Sequence, residues 1–102
     1  ADAYRPELVI VSAGYDPHGS DPLGEMRMTA AGFGALASRV RGLANVVLLL
    51  EGGYSVEHLP SCVEASLQGL TGVDYRISEE RTSAASEYIR VAAGVQKKYW
   101  KL

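Results

Sequence analysis

Cysteine is nearly missing from this sequence. Cys62 is the single one in 102 residues, so no disulfide can close within the chain, and a reducing compartment, cytoplasmic or nuclear, is the expected setting. Set in a helical segment, Cys62 reads as a small buried apolar residue. An excess of positive charge is missing too. Ten Lys and Arg stand against twelve Asp and Glu, a formal net charge of -2, which supplies no basic face for nucleic acid. No apolar run approaches the roughly 18 residues of a membrane-spanning helix, so no membrane partner is expected. The start, Ala1-Asp2-Ala3-Tyr4-Arg5-Pro6, lacks the pattern of a signal peptide. It also lacks an initial methionine, and the sequence reads as an excerpt of a longer protein. What is present, 47% hydrophobic and 22% charged residues without repeats or low-complexity tracts, is a soluble globular composition sufficient for one small domain.

Two apolar runs organise the chain. Pro6 opens the first, where a missing N–H is harmless, and Glu7 to Ala13 predicts a strand covered on both faces because it shows no polar alternation. A loop of small and acidic residues follows to about Met28. Thr29 is a helix N-cap, and Phe33, Leu36, Ala37, Val40 and Leu43 recur at helical spacing from Ala30 to about Arg41. Val46-Val47-Leu48-Leu49-Leu50 is a second doubly buried strand. Strand, helix and strand at this spacing make one βαβ unit with a parallel pair, so both strands end at the same edge. A second helix runs from Val56 or Pro60 to Leu70, with Leu59, Val63, Leu67 and Leu70 on its packed face and Gly72 stopping it. Val73 to Thr82 is an irregular connection. Ser83 to Tyr99 returns to helix, with a packed stripe of Tyr88, Ile89, Ala92, Val95, Gln96 and Tyr99. Two doubly buried strands need neighbours on their open edges, so the pattern suits the end of a larger sheet.

The chemistry is concentrated in the loops that leave the two strands. Ser12-Ala13-Gly14-Tyr15-Asp16-Pro17-His18-Gly19-Ser20-Asp21-Pro22-Leu23-Gly24 leaves the first, and Glu51-Gly52-Gly53-Tyr54 leaves the second. Ligands and metals gather at the carboxyl edge of parallel sheets, which makes Asp16 a candidate oxygen ligand. A tyrosine hydroxyl beside a metal can donate to the oxyanion that forms as an amide is attacked, which makes Tyr54 the candidate catalytic group. Gly52 and Gly53 permit a sharp turn and close backbone approach. Each signal has a plainer reading: an Asp after a strand is commonly a turn residue, and Gly-Gly-Tyr is commonly a tight turn with a packed aromatic.

The combination is more specific. Pro6 to Asp16, then Asp21-Pro22-Leu23-Gly24, then Leu49-Leu50-Glu51-Gly52-Gly53-Tyr54 resembles the carboxyl-terminal part of the zinc-dependent histone deacetylase family. The Glu-Gly-Gly-Tyr form is similar to the class II branch and its bacterial relatives. The resemblance implies an α/β fold of the three-layer, parallel-sheet arginase/deacetylase type, here a fragment with about two strands and three helices. Residues 1–72 would be its βαβα core and 83–102 its closing helix. It implies that Asp16 is a ligand of the catalytic zinc and that Tyr54 polarises the acetyl carbonyl and stabilises the oxyanion. Gly52 and Gly53 would border the substrate channel. Leu23 would stand at its rim, where leucine in place of an acidic residue favours acetyl-lysine over acetylpolyamine.

The neighbouring residues carry plainer expectations. Asp21 is a loop organiser bonded to backbone N–H groups. His18 faces solvent, His58 lies on the surface, and Glu51 serves the loop or touches substrate. Lys97, Lys98 and Lys101 form a solvated basic helix end.

In the family, the paired histidines that act as general base and electrostatic partner, and the other two zinc ligands, lie upstream of these motifs. A catalytic zinc takes three protein ligands and needs a base for its water. The chain alone is therefore expected to be inactive, with zinc absent or weakly bound. The expected partners are an acetylated lysine substrate and either the missing amino-terminal part of the domain or a second copy that covers the sheet edges. Two alternatives remain open: a non-catalytic deacetylase-like interaction module, and a deacetylase acting on acetylpolyamines or other small amides.

Overall fold

The computed structural model describes residues 4–77 and 83–100. Strand β1 (Leu8–Ala13) is followed by helix α1 (Ala30–Arg41), strand β2 (Asn45–Leu50), helix α2 (Leu59–Thr71) and helix α3 (Ser83–Gln96). The expected elements thus form in the expected order, with helix α2 starting between the two anticipated positions. The far part of the Val73–Thr82 connection, from residue 78, and Lys101 lie outside the described residues.

β1 and β2 pair in parallel, with Leu8 opposite Asn45 and Ala13 opposite Leu50. The βαβ reading from two apolar runs is borne out by this register. The expectation of double burial is not. Side chains alternate across a strand, and here one face, carrying Leu8, Ile10, Val47 and Leu49, is exposed. The other face is half-buried and looks onto α1 across a cleft of about 200 Å³ lined by Val11, Leu48, Phe33, Ala37 and Val40 among others. The apolar runs have no polar side to turn outward, and the described helices cover one face of two.

α1 starts at Thr29, whose hydroxyl accepts from the Gly32 amide at 3.2 Å. Such a cap contributes about 1 kcal/mol. It packs mainly on α2, and the two helices touch through glycine: a β-carbon at Gly69 would stand 2.3 Å from the Gly34 carbonyl oxygen. Arg41 closes the same interface from the side, donating to the Gly69 carbonyl at 3.0 Å and pairing with Asp74 at 3.1 Å. The small residues Cys62, Ala65, Ser66 and Gly69 are buried on α2, while Leu67 and Leu36, both expected in packed stripes, are exposed. Close helix approach selects small side chains and leaves the larger ones at the margin.

The core lies beneath the strand ends. Tyr15, Phe33 and Cys62 form its centre, with Ala13, Met28, Leu59 and Val63 against them. Tyr15 and Phe33 meet edge to face at 5.0 Å, an arrangement contributing about 0.5–1.5 kcal/mol beyond burial. Cys62 has no exposed surface, as its helical setting suggested. The stripe expected to pack on α3 does not do so: no residue of α3 is buried, and Tyr88, Ile89, Val95 and Tyr99 are exposed. Helical periodicity names the face that can be buried, not the surface that buries it.

Candidate functional site

The parallel ladder does not stop where the strands do. The Glu51 amide donates to the Ala13 carbonyl at 3.1 Å, and the Tyr15 amide donates to the Gly52 carbonyl at 2.9 Å. The two loops therefore leave the sheet side by side, and Asp16 follows directly on a residue bonded to Gly52. The buried Tyr15 ring pins this segment from below. That anchor was not anticipated in the sequence, although Tyr15 continues the alternation of Val9, Val11 and Ala13 and so points to the half-buried side.

Asp16 is half-buried, and its carboxylate lies against Gly52. A β-carbon on Gly52 would come within 2.3 Å of one carboxylate oxygen and 2.6 Å of the other. Gly53 has φ of 125°, in the left-handed range that disfavours side chains, and a β-carbon there would stand 2.8 Å from that of Tyr15. The two glycines thus let the second loop fit closely around Tyr15 and Asp16. Tyr54 follows with its side chain 56% exposed, and Leu23 is exposed on the opposing loop.

The second carboxylate of the loop is differently placed. Asp21 is buried, with one oxygen accepting from the Tyr54 amide at 2.7 Å and the other from the Leu23 amide at 2.9 Å. The Tyr54 amide is the main cause that holds the Asp21 carboxyl below its ordinary value, against the opposing effect of burial, and the amides of Leu23, Gly24 and Ser55 act in the same direction. Asp21 is the loop organiser expected from its position, and its reach extends to the second loop as well. Its oxygens are committed to N–H groups. Among the described residues no hydrogen bond engages the Asp16 carboxylate or the Tyr54 hydroxyl. Of two nearby carboxylates, one is fully used by the fold and one is available.

The histidines depart from expectation. His18 and His58 are half-buried and stacked on each other, with ring centroids 4.8 Å apart. His18 Nδ1 accepts from the Ser20 amide at 3.1 Å, and His58 Nδ1 lies 3.0 Å from Ser55 Oγ. Neither is the free surface residue that its polar surroundings in sequence suggested, because the loop folds back over the start of α2. His18 stands two residues after Asp16, a spacing that metal sites use, yet no group of three or more His, Cys, Asp or Glu residues suited to a metal occurs among the described residues. This donor set does not by itself fit a zinc ion. Glu51 is exposed at the loop's entry, and its amide serves the ladder.

Residues 1–70 match the family model of the histone deacetylase domain. The chain is 40% identical over 85 residues to the chloroplastic histone deacetylase 14 of Arabidopsis thaliana, covering 78% of this chain and 20% of that protein. It is 36% identical over 103 residues to the human polyamine deacetylase HDAC10, covering 96% of this chain and 15% of that protein. The solved structure of the histone deacetylase Clr3 superposes with a TM-score of 0.89 at 30% identity, covering 98% of this chain and 18% of that one. The fold is therefore the deacetylase one, and the chain spans a fifth or less of the length of these relatives.

Proposed function

The chain belongs to the histone deacetylase family, and we propose that it forms the carboxyl-terminal part of a catalytic unit hydrolysing the acetyl amide of lysine side chains. The observation that supports this most directly is the paired exit of the two loops from one sheet edge, which leaves the Asp16 carboxylate and the Tyr54 hydroxyl without a hydrogen-bond partner among the described residues. Asp16 would be one of three protein ligands of a zinc ion. The described residues of this chain do not complete that site, so the remaining ligands and the base must come from elsewhere in the protein. Tyr54 would donate its hydroxyl proton in a hydrogen bond to the oxygen that becomes negative as the acetyl carbonyl is attacked. Leu23 would form an apolar part of the channel rim, and Gly52 and Gly53 part of its wall.

The bare face of the sheet and the exposed stripe of α3 suit a chain embedded in a larger domain. The close superposition on a structure more than five times as long supports that reading. An intracellular setting accords with the unpaired Cys62, and no helix among the described residues is long and apolar enough to cross a membrane. A second substrate class, acetylated polyamines, is raised by the similarity to a polyamine deacetylase. Leu23, with no charge to meet a second ammonium group, favours the lysine side chain.

The test is made on the full-length protein. Tyr54→Phe is expected to slow turnover of an acetyl-lysine peptide by about 10²–10³, the scale of losing one oxyanion donor. An unchanged rate would remove Tyr54 from the chemistry. A panel containing acetylspermidine separates the two substrate classes. The isolated 102-residue chain is expected to release no acetate from the peptide, with or without zinc, and zinc-dependent release from it would overturn the proposed division of the site.

A further inference from the structure

We propose that Asp21 is a positioning residue for the Tyr54 hydroxyl, acting through the backbone of the second loop. This rests on the deacetylase reading above. Asp21 lies in the loop that carries the candidate ligand Asp16, and its carboxylate accepts from the Tyr54 amide at 2.7 Å in the other loop. The same carboxylate accepts from the Leu23 amide at 2.9 Å, so one buried side chain fixes the rim of the first loop and the catalytic residue of the second.

The position needs such a tie. Tyr54 is 56% exposed, and among the described residues its hydroxyl has no partner to hold the ring. The turn before it contains Gly52 and Gly53, which restrict the backbone little on their own. The ladder's last bond, from the Tyr15 amide to the Gly52 carbonyl, stops two residues short of Tyr54. Beyond it, the Asp21 carboxylate meets Tyr54 at its own amide. A charged acceptor makes a stronger bond to an N–H than a neutral one does. Asparagine has the same shape but one acceptor oxygen in place of two and cannot take both amides. Displacing a reacting group by about 1 Å costs on the order of a hundredfold in rate, so slack in this tie is read out at the hydroxyl.

A double-mutant cycle in the full-length protein tests the inference. The four enzymes are the wild type, Asp21→Asn, Tyr54→Phe and the double variant, assayed on a trifluoroacetyl-lysine peptide whose activated amide keeps slow variants measurable. Asp21→Asn is expected to lower kcat by about 10- to 100-fold, with KM changed less than about threefold. In the Tyr54→Phe background the same substitution should cost less than about threefold, because the group it positions is already gone. An equal loss in both backgrounds would overturn the proposal and leave Asp21 a general support of the fold. If Tyr54→Phe alone leaves turnover unchanged, the deacetylase reading of Tyr54 fails instead, and the two failures are distinct. Should Asp21→Asn not fold at the assay temperature, Asp21→Ser, assayed at a lower temperature, is carried through the same cycle with the same two outcomes.

Discussion

The carboxylate of Asp16 fills the space that a side chain at residue 52 would need. With a β-carbon at Gly52 only 2.3 Å from one carboxylate oxygen, the smallest possible addition forces either the loop or the carboxylate to move. Asp16 is the freer of the two, since no hydrogen bond among the described residues holds it. Gly52 is therefore a constraint on where the candidate ligand points, in addition to any contact it makes with substrate.

Gly52→Ala in the full-length protein is accordingly expected to reduce bound zinc and to lower kcat by at least about tenfold. Overpacking of this kind costs roughly 1–3 kcal/mol in stability. Zinc per chain by elemental analysis, with turnover measured on the same sample, checks it. Full zinc occupancy at wild-type rate would show that the loop yields and the carboxylate stays.

Gly69→Ala tests the contact between the helices. Alanine is favoured over glycine inside a helix by about 1 kcal/mol. Against this, its β-carbon would stand 2.3 Å from the Gly34 carbonyl oxygen and 3.1 Å from the Ala37 β-carbon. The steric term, roughly 1–3 kcal/mol, decides the sign, and a lower melting temperature is expected. A higher one would mean that α1 and α2 separate without cost.

The pH dependence of stability should carry the mark of Asp21. Its carboxyl is held below the ordinary value by the Tyr54 amide first of all. A group whose folded-state value is depressed stabilises the fold above its unfolded value and ceases to do so as pH falls through the folded one. The difference in denaturation midpoint between wild type and Asp21→Asn should therefore be full at pH 7 and narrow below about pH 4. A difference that does not change with pH would show that the charge plays no part.

Cys62 should be silent towards thiol reagents. It has no exposed surface, and burial pushes its thiol above the ordinary value, so both access and thiolate fraction are low. Under native conditions a disulfide reagent at pH 8 is expected to modify it far more slowly than in denaturant. Equal rates would place Cys62 outside the core.

Much of the fold could be read from local pattern. Continuous apolar runs of strand length mark β1 and β2, Thr29 marks the start of α1, and two apolar strands around one helix imply a parallel pair. Burial was less legible. Leu36 and Leu67 lie at helical spacing yet stay exposed, because the α1–α2 contact is closest at Gly34, Ala37 and Gly69, whose small size a hydrophobic pattern underweights. The same holds for the histidines. His18 and His58 stand 40 residues apart in a polar context, and only the folding of one loop over the start of α2 stacks their rings.

The identity of the two loops, their place at the end of apolar strands, and the family to which their motifs point all follow from residue type and spacing along the chain. Tertiary structure decided which carboxylate is available. Asp16 and Asp21 are five residues apart and chemically alike. Asp21 is occupied because the second loop brings the Tyr54 amide to it, while Asp16 is left open against Gly52. Both outcomes depend on the parallel pairing that carries Glu51 to Tyr54 alongside the first loop, a contact between segments more than thirty residues apart that no local pattern contains.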